Sequence, residues 1–250
     1  MRKVLVIAAV LGLCAVMAIA LEVTSENVAG YYRVTLPPGG KLIALGVQFD
    51  PFDATLEGII DPALLREEEK DVTVGDRVMI WRGAGYDIFK RSGDHYVNVN
   101  SPTVPTNPAM EAGQAIWVKS ALDESSPLEL PITGQAVENV QIDTPIVQGL
   151  QLIAYPFSCD IGVNDTTFSE NASREEKDVS IGDRLMLWDP ETSGYKILKL
   201  GAGALSNAWV DVNTPTVAAT NRLDLGNGFW YRAEFGGFDW SETNRYVDNL

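Results

Sequence analysis

Residues 68–81 read EEKDVTVGDRVMIW, and residues 175–188 read EEKDVSIGDRLMLW. Ten of the fourteen positions are identical and the other four are conservative replacements. Two copies are too few for a solenoid, whose repeats stack in longer series. The distance between the copies is instead the length of a small domain. The sequence therefore predicts one module used twice.

The similarity continues on both sides of this stretch. The matching segments are 41–44 with 151–154, 85–86 with 194–195, 97–104 with 210–217, and 113–118 with 226–231. A polar segment, LDESSP, lies between the copies and is typical of a linker. The predicted organisation is a signal peptide (1–20), a first β module (21–121), a linker (122–135), a second β module (136–235) and a C-terminal tail (236–250).

Hydrophobic patterning within each copy favours strands. Val97 and Val99 alternate with polar residues, and an apolar run over 42–49 predicts a central buried strand. The segment 78–81 is apolar on both faces, so we expect Trp81 and its counterpart in the second copy to lie in the core.

Only short helices are expected, over residues 55–60 and 62–70. The predicted fold class is all-β, with two tandem, homologous small β-sandwich or barrel domains carrying short helical insertions.

The first twenty residues have the features of a secretory signal peptide. Arg2 and Lys3 precede an apolar segment, and Ala18-Ile19-Ala20 fits a small-x-small cleavage site. An uncleaved membrane anchor is the competing interpretation, because this run barely reaches the length of about 20 apolar residues that an anchor needs. We favour cleavage before Leu21, which predicts a secreted protein in the periplasm or on the cell surface.

The chain is strongly acidic, with a formal net charge of −15. Nucleic-acid and anionic membrane surfaces require clustered basic residues, so this charge argues against both as partners. It leaves envelope components, other copies of the chain and glycans as candidate partners, and it permits weak cation binding.

Cysteine use excludes an intrachain disulfide in the mature chain. Cys14 lies in the leader, which leaves Cys159 alone after cleavage. A lone cysteine in an exported protein is either a reactive thiol or a small buried residue, and burial is the commoner outcome.

Three further motifs carry a family resemblance. They are 152–157 (LIAYPF), 76–86 (DRVMIWRGAGY) and 225–231 (LGNGFWY). Together they resemble a largely uncharacterised all-β module of secreted proteins from gram-negative bacteria, with an xLIxxPF strand, a DxVxxWxGxGY hairpin and an LxxGxGFWV closing strand. The first copy departs from the closing pattern at Gln114-Ala115, where a second glycine is preferred. The resemblance implies association with the cell surface or envelope and supplies no catalytic residue.

Residues that could perform catalysis are scarce. His95 is the only histidine, which argues against catalytic triads and histidine metal clusters. Asp50 and Asp53 lie in one loop, and Asp160 and Asp165 lie in its counterpart. Glycoside hydrolysis needs two carboxylates about 5–9.5 Å apart across a cleft, whereas calcium takes several loop oxygens. We predict no enzyme and no cofactor, with calcium at Asp50 and Asp53 as the one candidate.

Aromatic residues are the best functional candidates. Tyr96 and Trp209 are equivalent in the two copies, as are Trp117 and Trp230, and each could form part of a ligand-binding surface. The alternative, which we prefer, is that these rings fill the core or the contact between modules. The Gly-Asp-Arg sequence shared by both copies is interpreted as a turn followed by the start of a strand.

The predicted function is a secreted, non-enzymatic structural or adhesive protein outside the cell or in its envelope. A carbohydrate-binding module that uses exposed aromatics is the alternative, and a hydrolytic enzyme is the second alternative. Exposure of Trp209 and Trp230 on one face would favour sugar binding. Burial between the modules would favour the structural role.

Overall fold

The computed structural model describes residues 29–67, 74–174 and 182–245. The predicted signal peptide lies outside these ranges, as do residues 68–73 and 175–181 of the repeated stretch. Every strand pairing in the described residues is antiparallel, and none of the sheets closes into a barrel. The all-β prediction is confirmed, and the barrel alternative is wrong.

The first repeat copy builds one five-stranded sheet. Its strands, numbered along the whole chain, are β2 (Leu42–Gly46), β3 (Arg77–Trp81), β4 (Tyr86–Ser92), β5 (His95–Asn98) and β6 (Ala115–Lys119). Their order in the sheet is β2-β6-β3-β4-β5. The apolar run predicted as a central strand therefore lies at an edge. It is buried there because Ile43 and Leu45 point into a core on one face, while Ala44 on the other face lies against the second copy.

The second copy builds an equivalent sheet with one additional strand. Its strands are β9 (Gly149–Ala154), β11 (Arg184–Asp189), β12 (Gly194–Leu200), β13 (Trp209–Asp211), β14 (Thr214–Ala218) and β16 (Gly228–Ala233). Their order is β14-β13-β12-β11-β16-β9. A short pair, β10 (Ile161–Gly162) with β15 (Arg222–Leu223), lies beside this sheet.

Two-stranded ribbons flank the two sheets. One pairs β1 (Ala29–Leu36) with β7 (Leu128–Gln135), and the other pairs β8 (Gln141–Ile146) with β17 (Phe238–Thr243). Strand β7 lies inside the segment interpreted as a linker, and β17 lies inside the predicted tail. Each ribbon thus joins the strand that precedes one sheet in the chain to the strand that follows it.

Helical structure in the described residues is short, as expected. Helix α1 (Leu56–Ile59) is capped by Thr55, whose hydroxyl accepts from the Gly58 amide. In the second copy, a 3₁₀ turn at Val163–Asp165 takes the place of α1, and helix α2 (Phe168–Asn171) takes the place of the 3₁₀ turn that follows α1 at Pro62–Leu64. The backbone is extended at Leu65, so the helix expected over 62–70 does not continue there.

Side-chain alternation divides the buried residues into three layers. Val78 and Ile80 point into a first core, which the β1–β7 ribbon covers with Tyr32 and Val34. The second sheet and the β8–β17 ribbon enclose a second core around Trp240. The third layer, which we call the inter-copy layer, lies between the two sheets. Its residues are Ala44, Ala115, Trp117, Leu152, Ala154 and Trp230, flanked by Leu42, Met79, Trp81, Leu150, Met186 and Trp188.

The hydrogen-bond ladders correct one part of the repeat alignment. Ala44 pairs with Trp117 in the first copy, and Leu152 pairs with Trp230 in the second. Because the two tryptophans are equivalent, Ala44 corresponds to Leu152 rather than to Ala154. The match proposed for 41–44 is therefore displaced by two residues, whereas the match of 113–118 with 226–231 agrees with the ladders.

Equivalent residues of the two copies meet at the centre of the inter-copy layer. Gly46 of one copy lies against its counterpart Ala154, and a Cβ on Gly46 would stand 2.7 Å from that of Ala154. Ala115 lies against its counterpart Gly228, where an added Cβ would stand 2.4 Å away. Each contact therefore accepts one alanine and one glycine. This explains the alanine that replaces the second glycine of the closing pattern in the first copy.

We expect Gly228→Ala to destabilise the protein by about 1–3 kcal/mol, the usual range for overpacking a dense contact. Adding Ala115→Gly should recover most of that loss, because the extra methyl group then has space. Urea unfolding of both single variants and the double variant measures the coupling between the two positions.

Gly236→Ala is the matched control, since nothing lies within 4 Å of an added Cβ there. It should change the free energy of unfolding little. Purely additive effects of the Gly228 and Ala115 substitutions would contradict the direct contact.

Candidate functional site

Tyr96 and Trp209, two of the predicted ligand-binding aromatics, are fully buried. The Tyr96 hydroxyl donates to the Ile60 carbonyl oxygen at 3.0 Å in the first core. The Trp209 ring packs edge-on against Phe168 and Tyr231 in the second core. Both residues therefore hold their own copy together, and neither is accessible to a ligand.

Trp117 and Trp230, the other two candidates, are also buried, with exposed fractions of 3% and 4%. They lie in the inter-copy layer with ring centroids 6.4 Å apart. Trp230 and Trp209 are thus on opposite faces of the second sheet, so the four aromatics form no common surface. The preferred alternative, that the rings fill the cores and the contact between copies, describes their positions.

Trp81 and Trp188 were expected in the core and instead lie half-buried at the ends of the inter-copy layer. Trp81 packs edge-on against Trp230 at 5.3 Å, and Trp188 does the same against Trp117 at 5.3 Å. The Trp81 indole N–H donates to the Leu150 carbonyl oxygen at 2.8 Å. The Trp188 indole donates to the equivalent Leu42 oxygen at 2.7 Å.

Main-chain hydrogen bonds also run from each copy to the equivalent position of the other. The Gly46 amide donates to the Gly226 carbonyl oxygen at 2.9 Å, and the equivalent Ala154 amide donates to the Gly113 oxygen at 2.8 Å. Gly113 and Gly226 both have φ of 85°, a conformation that favours glycine. The two copies therefore interlock through the same bonds made in both directions.

Two half-exposed tyrosines border the layer. Trp230 donates its indole N–H to the Tyr195 hydroxyl at 3.2 Å, and Trp117 hydrogen-bonds Tyr86 in the same way. Burial raises the pKa of the Tyr86 phenol above its ordinary value. The tyrosines are the points at which the aromatic layer reaches solvent.

The shared Gly-Asp-Arg sequence has the structural role that was expected. Strands β3 and β11 begin at Arg77 and Arg184, and the preceding aspartates are buried. The Asp76 carboxylate accepts from the Arg66 amide at 2.7 Å and from the Ala121 amide at 2.6 Å. It ties the segment before β3 to the end of β6.

Asp183 makes the equivalent bonds in the second copy. Its carboxylate accepts from the amides of Ser173 at 2.8 Å and Glu234 at 2.7 Å. The Tyr231 hydroxyl adds a third donor at 2.8 Å. Burial, followed by the Asp183 charge, raises the pKa of Tyr231.

The structure gives the remaining candidates no shared site. The Asp50 backbone pairs with that of Gln135, and burial together with the Glu138 charge raises the pKa of its carboxyl. Asp53 is exposed, and the Asp160 carboxylate accepts from the Leu225 amide. Within residues 29–67, 74–174 and 182–245, no three His, Cys, Asp or Glu side chains are placed to hold a metal ion.

Cys159 is half-buried beside the second core. Burial, reinforced by the Asp160 charge, raises the pKa of its thiol, which disfavours the reactive thiolate. His95 lies at the start of β5, with its Nδ1 3.0 Å from a carboxylate oxygen of Asp94.

Two open grooves lie on either side of the inter-copy layer, and sequence analysis did not find them. The first has a volume of about 620 Å³ and is bounded by Trp81, Gln114 and the segment 142–152. The second consists of adjoining cavities of about 230 and 320 Å³ that share Trp188 and Asn227. The first groove and the smaller cavity of the second form where one copy meets the other, so a pattern within either copy could not reveal them. The larger cavity of the second groove is lined by residues of the second copy alone.

No family model, no curated protein and no solved structure significantly matches this chain. None of the helices in the described ranges has the length and apolar character needed to cross a bilayer.

We expect Asp76→Asn to destabilise the fold by about 1–3 kcal/mol, because an amide can accept only through one atom and leaves a buried amide N–H without its partner. Burial, its largest cause, raises the pKa of Asp76 in the folded state. The folded state thus binds a proton more readily than the unfolded state. The stability advantage of the native protein over the variant should therefore shrink as the pH rises through that raised pKa.

Urea unfolding of both proteins at a series of pH values from acidic to neutral measures this difference, since the other titrating groups are common to both. Asp53→Asn is a control at an exposed carboxylate. If the stability advantage of the native protein over Asp76→Asn grew as the pH rises, this would contradict a raised pKa of Asp76 in the folded state.

Proposed function

We propose that this chain is a secreted, non-enzymatic structural or adhesive protein of the cell envelope or its exterior, built by tandem duplication of one β domain. A signal peptide over 1–20 and the acidic mature surface support export. The resemblance to a module of secreted gram-negative proteins supports the envelope as its place of action.

The observation that carries the proposal is the reciprocal contact between the copies. Four tryptophans and paired main-chain bonds fix one sheet against the other. Such a contact suits a protein that resists deformation, since a large buried apolar contact opposes relative domain motion. The buried carboxylates of Asp76 and Asp183 bind backbone amides, which suits a framework role.

Carbohydrate binding is the second candidate function, although the four aromatics that the sequence suggests for it are not on the surface. Tyr96, Trp117, Trp209 and Trp230 are all buried. The grooves at Trp81 and Trp188 are the specific observation that favours a saccharide ligand. Hydrolysis has no specific observation in its favour among the described residues.

We expect the full chain, expressed in a gram-negative host, to be exported and to lose its leader. The intact mass of the exported protein should correspond to a chain that begins at Leu21. Val10→Asp places a charge in the apolar segment of the leader and should leave the protein uncleaved inside the cell. Protein that retains residues 1–20 after export would contradict the cleavage.

The envelope role has a separate test. Purified mature protein should sediment with isolated envelopes of the host, and its binding should saturate. Recovery of the protein entirely in the supernatant at every concentration would contradict an envelope role.

A further inference from the structure

We propose that the two inter-copy grooves are equivalent binding sites for a neutral, polyhydroxylated ligand, an uncharged polysaccharide strand, so that one chain carries two attachment points. This inference rests on the proposed adhesive function and names the ligand class that the adhesion recognises.

Equivalent residues of the two copies recur in both grooves. Each has a half-buried indole on its floor, Trp81 in the first and Trp188 in the second. Each has an exposed amide side chain on its rim, Gln114 or its counterpart Asn227. In the chain, these amides directly follow Gly113 and Gly226, which share one φ of 85°.

Each rim also carries a carboxylate. Glu111 lines the first groove and its counterpart Asp224 lines the second, and both side chains are exposed. The Gln114 side-chain oxygen accepts from the Glu111 amide at 3.3 Å, which holds the two rim residues together. An indole, an amide and a carboxylate thus recur in both grooves.

These three groups match the surface of a sugar ring. The ring presents a C–H face that packs on an indole and a hydroxyl edge that both donates and accepts hydrogen bonds. Carboxylates accept from hydroxyls, and amides do both. The open form of the grooves and their mixture of polar and apolar lining residues suit a saccharide.

Charge and backbone pairing exclude other ligand classes. Both grooves carry charges of both signs: the first is lined by Arg82, Glu111 and Asp143, and the second by Arg33, Asp189, Lys196, Arg222 and Asp224. Neither groove therefore presents the single sign of charge that attracts a charged polymer. A peptide that binds as an added strand needs a free sheet edge. The β2 and β9 edges facing the grooves already bond to Gly226 and Gly113 of the opposite copy.

The test is isothermal titration calorimetry, in which the full mature chain is titrated with neutral hexasaccharides of hexose units and of N-acetylhexosamine units. We expect at least one of them to bind with two sites per chain. Gln114→Ala and Asn227→Ala should each remove one site. The double variant should lower affinity at least tenfold while leaving the melting temperature unchanged.

Asn100→Ala with Asn213→Ala is the matched control, since these are also equivalent, exposed amides and lie outside both grooves. It should bind like the native chain. A control variant that loses as much affinity as the groove variant would overturn the inference. The inference would also be overturned if the native chain bound saccharide at only one site or did not bind it at millimolar concentration. Undiminished binding by the groove double variant would overturn it as well.

The experiments distinguish failure of the envelope role from failure of the saccharide inference. Sedimentation with envelopes that survives the groove double variant would overturn only the saccharide inference. Saccharide binding by a chain that stays in the envelope supernatant would overturn only the envelope role.

Discussion

The rest of the structure depends on the close approach of two sheets that meet through equivalent residues. Gly46 against Ala154 and Ala115 against Gly228 bring the backbones near enough for amide and carbonyl groups to bond across the contact. The same approach lets each flanking indole reach a carbonyl oxygen of the opposite copy. Without the small residues, the tryptophans would hold the sheets apart and these bonds would be lost.

The apolar pattern of each copy predicted its strands but not what covers them. Val78 and Ile80 lie in the first core, as alternation indicates, and the all-β class followed from the same pattern. Met79 and Trp81 occupy the other face, so their apolar character was explained only by the second copy. A continuous apolar run such as Val78 to Trp81 indicates that a strand is buried on both faces. It does not distinguish two cores from a core and a contact between domains.

Segment 128–135 shows a second limit of sequence reasoning. The polar stretch LDESSP before it is typical of a linker, yet Leu130 and Ile132 alternate with exposed residues and are fully buried under the first sheet. Pairing with β1 connects residues separated by the whole first copy. Such long-range pairing depends on tertiary contacts, which local composition does not report. The grooves are hidden from the sequence for the same reason.

An exact two-fold arrangement of identical copies could not make this contact. Each copy carries one alanine and one glycine at the two central positions, in opposite order: Gly46 and Ala115 in the first, Ala154 and Gly228 in the second. A dimer of either copy alone would place two alanines in contact at one position, where their methyl groups would overlap. At the other position it would leave two glycines and an unfilled gap, which also costs stability. Joining the copies in one chain allows each position to hold one residue of each kind. The same freedom has let the groove walls diverge, with Arg82 in one and Asp189 in the other, while the indole floors stay alike.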